Sequence, residues 1–162
     1  MANNTKIKAI VITVSDSRRE NDDISGVNLV GLLLAIGAEI VDKIIVSDDF
    51  EVLRNTLYSL TRREDVNLIV TTGGTGFAPR DNTPEATRAI IEKEASGLAE
   101  AMRSETLKNT PTAMLSRGVC GICNETLIIN LPGSPNGVRE CFDVIKDVLP
   151  HAVNLISGNT EH

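Results

Sequence analysis

TTGGTGFAPRDNTPEATR, Thr71 to Arg88, places three glycines within four residues just after the apolar run Leu68-Ile69-Val70. Arg80 and Asp81 follow, ahead of a Thr83-Pro84-Glu85 helix start, with proline at the first position and an acid near the positive end of the helix dipole. A strand that ends in so flexible a turn, with charge beyond it, reads as a backbone cradle for an anion. Neither a Walker A nor a dinucleotide fingerprint fits: no GxxxxGK[ST] occurs, and Pro79 stands where a third fingerprint glycine belongs. A turn that needs positive φ is the alternative reading of the glycines. The charges Arg80 and Asp81 favour function, since neither helps such a turn form.

The same strand–loop–helix unit recurs on both sides. Ala9–Val14 (AIVITV) reads as a strand covered on both faces, followed by a helix that Ser25 can cap and Gly37 ends, with Val27, Val30, Leu33 and Leu34 as its buried stripe. A second strand runs through Ile40-Val41 and Ile44-Ile45-Val46; Asp48 or Asp49 caps the next helix, which carries Phe50, Leu53, Leu57 and Leu60 on one face. Leu68–Thr72 is the third strand. Beyond the glycine loop come a helix over Gly97–Leu107, strands over Ala113–Ile122 and Leu127–Leu131 around a tight Cys123–Thr126 turn, and a last helix with Val138, Phe142, Ile145 and Leu149. This alternation predicts a three-layer α/β fold, with a mostly parallel sheet between helices, as a single domain over residues 1–162.

Aromatic residues make up 2% of the 162, too few for a base-stacking nucleic-acid module, and the net charge of −6 has the wrong sign for a non-specific nucleic-acid binder. No nucleic-acid partner is expected. The opening MANNTKIKAIVITVSDS has no signal-peptide pattern, and no apolar run reaches membrane-spanning length, so a cytoplasmic protein without a membrane partner is expected. Three cysteines are too few and odd in number for a disulfide framework. Cys120-Gly-Ile-Cys123 has CxxC spacing, but it leads into a strand and has no second pair, so small buried side chains are expected. Neither His151 nor His162 sits in a catalytic pattern.

In parallel sheets ligands gather beyond the carboxyl ends of the strands. Four loops leave such ends: Ser15-Asp16-Ser17, Ser47-Asp48-Asp49, Thr72 to Gly76 with Arg80-Asp81, and Pro132-Gly133-Ser134. Carboxylates beside an anion cradle make sense if Mg²⁺ bridges them to phosphate oxygens. Helix capping is the competing role for Asp48 and Asp49, and plain solvation for Asp16 and Asp23.

TTGGTGFAPRDNTPEAT, with VSDSRRENDDISG before it and MLSRGVCGI and TLIINLPGSP after it, resembles the MogA/MoaB family of molybdenum-cofactor biosynthesis, which includes the G domain of gephyrin. The likeness runs from about Ile7 to Ile156. It implies a molybdopterin adenylyltransferase that uses ATP and Mg²⁺, assembles as a homotrimer and passes its product to a molybdate-insertion enzyme. By this resemblance Asp48 and Asp81 are the catalytic and metal-binding acids, with Ser47 in place of the family's usual proline. The resemblance also implies that Gly73, Gly74, Thr75, Gly76, Ser116, Pro132, Gly133 and Ser134 bind molybdopterin or nucleotide, with Arg117 completing a Ser-Arg pair; Ser15, Asp16 and Arg80 are expected beside them from the loop reading. The family pattern at Cys123-Asn124-Glu125 is closer to Arg-Gly followed by Lys or Ser. If that turn borders the nucleotide, Glu125 repels the phosphates, and a non-catalytic trimer that binds molybdopterin or scaffolds other proteins becomes the alternative; if it points to solvent, Glu125 is neutral.

Overall fold

The computed structural model describes residues 4–160. Its strands, numbered in chain order, are β1 (Lys8–Val14), β2 (Glu39–Val46), β3 (Leu68–Thr72), β4 (Lys93–Glu94), β5 (Cys120–Cys123) and β6 (Thr126–Leu131). They form one sheet in the order β2-β1-β3-β6-β5-β4. β2, β1, β3 and β6 run parallel, and β5 runs against both of its neighbours.

The β-branched runs of β1, β3 and β6 send alternate side chains to opposite faces, as a pleated strand must. Ala9, Val11, Leu68, Val70, Leu127 and Ile129 join one core, covered by α1 (Ile24–Ala35), α4 (Ser96–Leu107), α5 (Pro135–Ile145) and α6 (Leu149–Ile156). Ile10, Ile12, Ile69 and Ile128 join the other, beneath α2 (Phe50–Thr61) and α3 (Thr83–Arg88). This is the expected three-layer arrangement. Among the described residues no helix is long and apolar enough to cross a membrane.

Several local expectations need correction. α1 is capped by Asp23, not Ser25: the Asp23 carboxylate accepts from the Gly26 N–H at 3.0 Å and is held by Thr13 Oγ1 (2.6 Å) and Lys43 Nζ (2.8 Å). Burial pushes the Asp23 pKa up, but Lys43, Thr13 and the Gly26 amide outweigh it and leave the pKa lowered. Ser25 Oγ instead donates to the Gly133 carbonyl at 2.7 Å. The buried face of α1 is Ser25, Gly26, Leu29 and Leu33, so Val27 and Leu34 stand out in solvent; the close seat of Gly26 on Asp23 and Thr13 sets this rotation.

The strand expected over Ala113–Ile122 is mostly a 3-10 turn at Pro111–Leu115 and an extended link, with only Cys120–Cys123 in the sheet. The proline favours the turn, and the Arg117 amide is drawn away to the Thr75 carbonyl at 2.8 Å. The expected last helix is two, because Pro150 near the start of α6 cannot continue α5. The short edge strand β4 was not expected, as two polar residues carry no periodicity.

All three cysteines are buried free thiols, with Cys120 pushed up to about 12 and Cys141 to about 11 by burial. They are core side chains, and among the described residues no three His, Cys, Asp or Glu stand together as a metal cage.

Candidate functional site

Because β1, β2, β3 and β6 are parallel, the four loops that leave them emerge along one edge of the sheet. The loops are tied to one another by backbone acceptors. Thr72 Oγ1 donates to the Pro132 carbonyl (2.8 Å) and the Gly73 amide to the Leu131 carbonyl, while Thr83 Oγ1 fastens the glycine loop to the start of α3 through the Gly73 carbonyl (2.9 Å). Gly73 and Gly74 have φ of 101° and 68°, so the loop does need the left-handed region, yet that is not its whole content. Gly73 donates to the Leu131 carbonyl at 3.1 Å, whereas the amides of Gly74, Thr75 and Gly76 have no protein acceptor among the described residues. Three N–H groups without a protein acceptor on a buried-to-half-buried turn are donors left for an anion.

A cavity of about 440 Å³ opens beside this turn. Of the expected site residues, Gly74, Thr75, Gly76, Asp81, Ser116, Pro132, Gly133 and Ser134 line it. Ser134 is also the α5 N-cap, accepting from the Gly137 N–H at 3.0 Å, so the positive end of that helix faces the cavity. The remaining expected residues do not line it. The Gly73 amide is spent on the Leu131 carbonyl, and Ser15 Oγ shapes its own loop by accepting from the amides of Ser17 (3.2 Å) and Arg18 (3.0 Å).

Asp16, Asp48 and Arg80 form an adjoining polar cluster. Asp16 accepts from Ser47 Oγ (2.7 Å) and the Asp48 N–H (3.1 Å) through Oδ1, and from Arg80 Nε (2.7 Å) through Oδ2. The Ser47 hydroxyl first, then Arg80 and the Asp48 amide, hold its pKa below the usual carboxylate range against a smaller opposing effect of burial. Asp48 Oδ2 accepts from the Asp16 N–H at 2.9 Å. Its own pKa is raised, chiefly by burial and further by the Asp16 and Asp81 carboxylates. Capping of α2 falls to Asp49, which accepts from the Val52 N–H at 3.0 Å, and this leaves Asp48 unengaged by the helix.

Topology places Glu125 away from the four loops. The hairpin turn, with Asn124 at φ 48° and Glu125 at φ 65°, precedes β6 and so lies at the sheet edge opposite the four loops. Glu125 borders Thr61 to Asn67 instead of the cavity.

Sequence reasoning missed Arg103, Asn130 and Glu140, which also line the cavity. Asn130 was visible as a polar residue inside LIINL. It is buried, donates to Thr71 Oγ1 and Thr87 Oγ1 (3.1 Å each) and accepts from the Val119 amide (3.1 Å). Arg103 donates to the Gly118 carbonyl at 2.9 Å, and no pattern around it in α4 gave a signal.

Residues 10–151 match the family described as "Probable molybdopterin binding domain". The molybdenum cofactor synthesis protein cinnamon of Drosophila melanogaster is 46% identical over 154 residues, covering 92% of this chain and 25% of that protein. A molybdopterin adenylyltransferase of Helicobacter pylori is 46% identical over 115 residues, covering 71% of this chain and 65% of that enzyme. The chain thus spans a quarter to just under two thirds of these relatives' lengths. The crystal structure of the molybdopterin biosynthesis enzyme MoaB from Thermus thermophilus superposes with a TM-score of 0.86 at 42% identity, over 94% of this chain and 97% of that one. A domain match across most of the chain and a full-length structural counterpart at this identity agree: the chain belongs to the molybdopterin-binding family of molybdenum-cofactor biosynthesis proteins.

Proposed function

We propose that this protein is a molybdopterin adenylyltransferase, a nucleotidyltransferase that transfers AMP from ATP to the terminal phosphate of molybdopterin. The observation that carries the reading is the set of free amides at Gly74, Thr75 and Gly76 beside Asp81, at the mouth of a cavity large enough for a small heterocyclic ligand. In the reaction a terminal phosphate oxygen of molybdopterin attacks the α-phosphorus of ATP. The new P–O bond forms as the bond to pyrophosphate breaks. Such transfer needs alignment and charge neutralisation more than a protein nucleophile. The glycine-loop amides and the α5 N-terminus hold phosphate oxygens, while the cavity wall of α4 and α5 excludes water from the heterocycle.

Asp48 and Asp81 suit Mg²⁺ that arrives with the nucleotide. Asp48 Oδ2 accepts from the Asp16 amide and Asp81 Oδ2 from the Ala78 amide (3.0 Å), leaving the other oxygen of each for a cation that keeps most of its waters. Bound there, Mg²⁺ would neutralise charge on the phosphates. Asp16 is already committed to Arg80, Ser47 and Asp48, and acts as the brace of this cluster. With Glu125 at the far edge, the motive for a non-catalytic scaffold falls away.

The test is an assay with purified protein, molybdopterin, ATP and Mg²⁺. Pyrophosphate release that depends on molybdopterin, with AMP on the product, is expected; no such release would overturn the reading. The reading extends to a cytoplasmic homotrimer that hands its product to a molybdate-insertion enzyme. Light scattering should return three times the 17.4 kDa chain mass, and a monomer would refute the trimer.

Asp48 gives a sharper check. An acid whose folded pKa lies above its unfolded value is less stable ionised in the folded protein, so stability falls as pH rises from the unfolded pKa to the folded one and stays lower above it. Asp48→Asn keeps an oxygen for the Asp16 amide and removes that charge. Near neutral pH it should melt no lower than the wild type, while transfer falls by about 100-fold and needs more Mg²⁺. Normal turnover in Asp48→Asn would return the residue to a loop role.

A further inference from the structure

We infer that Arg117 is a positioning residue that clamps the glycine loop against the Asp81 turn, with Glu85 holding the clamp in place. Its effect on turnover rests on the adenylyltransferase reading; its effect on the loop does not. Arg117 lies on the extended link before β5 and does not line the cavity. Its amide donates to the Thr75 carbonyl (2.8 Å), its Nε to the Gly76 carbonyl (2.8 Å) and its Nη2 to the Asp81 carbonyl (2.9 Å). Nη1 pairs with the Glu85 carboxylate in the first turn of α3.

A guanidinium presents its donors in one rigid plane, and here three directions of that plane are occupied by protein acceptors. What they join matters. Gly76 and Asp81 bound a turn whose internal ties are the Asp81 N–H to the Ala78 carbonyl (2.9 Å) and the Ala78 N–H to Asp81 Oδ2. Residues 77–80 between them are exposed, so little packing fixes their path. Arg117 is the one side chain among the described residues that grips both ends of this turn from outside it. It sets the distance between the free amides of Thr75 and Gly76 and the Asp81 carboxylate, which must act on the same phosphates. A lysine offers a single point charge and cannot reproduce the fork.

The competing role for Arg117 is direct contact with a ligand phosphate, and Glu85 separates the two. If the clamp holds, Arg117→Ala raises hydrogen exchange at the amides of Ala78 and Asp81 by about 10- to 100-fold, with β3 amides unchanged. Its kcat falls by about 100-fold, as a small misplacement of reacting groups would cause, with a smaller rise in KM. Free guanidinium restores part of kcat and Arg117→Lys does not. Glu85→Gln shifts exchange and kcat in the same direction by a smaller factor, and the double variant is no worse than Arg117→Ala. Exchange that stays at the wild-type level in Arg117→Ala, or Glu85→Gln that binds ATP more tightly with an unmoved loop, overturns the clamp. A wild-type protein that transfers no AMP would sink the activity alone, and the exchange measurement on both variants would still decide the positioning role.

Discussion

Asp81→Ala should lower adenylyl transfer by about 1,000-fold, the loss expected when a group aimed at developing phosphate charge is removed from a preorganised site. Stability should change little. The side chain is half-buried in a loop, belongs to neither core cluster, and makes one bond, from the Ala78 amide. Loss of such a bond at a wet surface costs about 1 kcal/mol. The carboxylate is nevertheless well placed: it folds over Gly76, so close that a Cβ on that glycine would stand 2.9 Å from Asp81 Oδ2. Its backbone carbonyl is fixed by Arg117. Asp81→Asn separates shape from charge, since its amide oxygen can still accept from Ala78. Initial rates at saturating Mg²⁺ should place Asp81→Asn near Asp81→Ala; an asparagine variant close to wild type would mean that Asp81 only shapes the turn.

How much of this was legible in the sequence depends on the range of the forces involved. β1, β3 and β6 were readable because a short, largely apolar run rich in β-branched residues between turn residues has few other solutions, even with Asn130 inside β6, and their parallel order followed from the helices between them. The convergence of four loops on one edge then came from topology. What the sequence concealed was choice among near neighbours. Asp23, Ser25, Asp48 and Asp49 are all chemically able to cap a helix. Only the tertiary partners decide: Lys43 and Thr13 fix Asp23 at α1, and the Asp16 amide holds Asp48 away from α2. Glu125 had two readings for a related reason. Its turn was recognisable, and a parallel β6 puts it at the end opposite the four loops; what the sequence left open was which surface the ligands use. Arg117 stood beside Ser116 in a visible motif, yet its partners at Gly76, Asp81 and Glu85 are distant in sequence and could not be named from it.

Gly74→Val should abolish molybdopterin binding and destabilise the protein, and the two effects can be measured apart. Gly74 has φ 68°, a region where a β-branched residue is strained by about 1–2 kcal/mol or more. Space is the larger obstacle. A Cβ built there would lie 2.3 Å from Thr83 Oγ1, and that hydroxyl is not free to withdraw, since Thr83 is fully buried and donates to the Gly73 carbonyl. Either the Thr83 bond breaks or the loop moves, and a moved loop takes the amides of Thr75 and Gly76 with it. Gly37 supplies the control. It has φ 84° at the end of α1, and a Cβ there would meet nothing within 4 Å. Gly37→Ala therefore isolates the cost of the dihedral, about 1 kcal/mol. Gly74→Ala should exceed it because of Thr83, and Gly74→Val should exceed both. Molybdopterin affinity, measured by titration well below each melting temperature, should be unchanged in Gly37→Ala and at least about 100-fold weaker in Gly74→Val, a loss of about 2.7 kcal/mol. A Gly74→Val protein that folds and still binds molybdopterin normally would reduce the glycine loop to a turn with no ligand to hold.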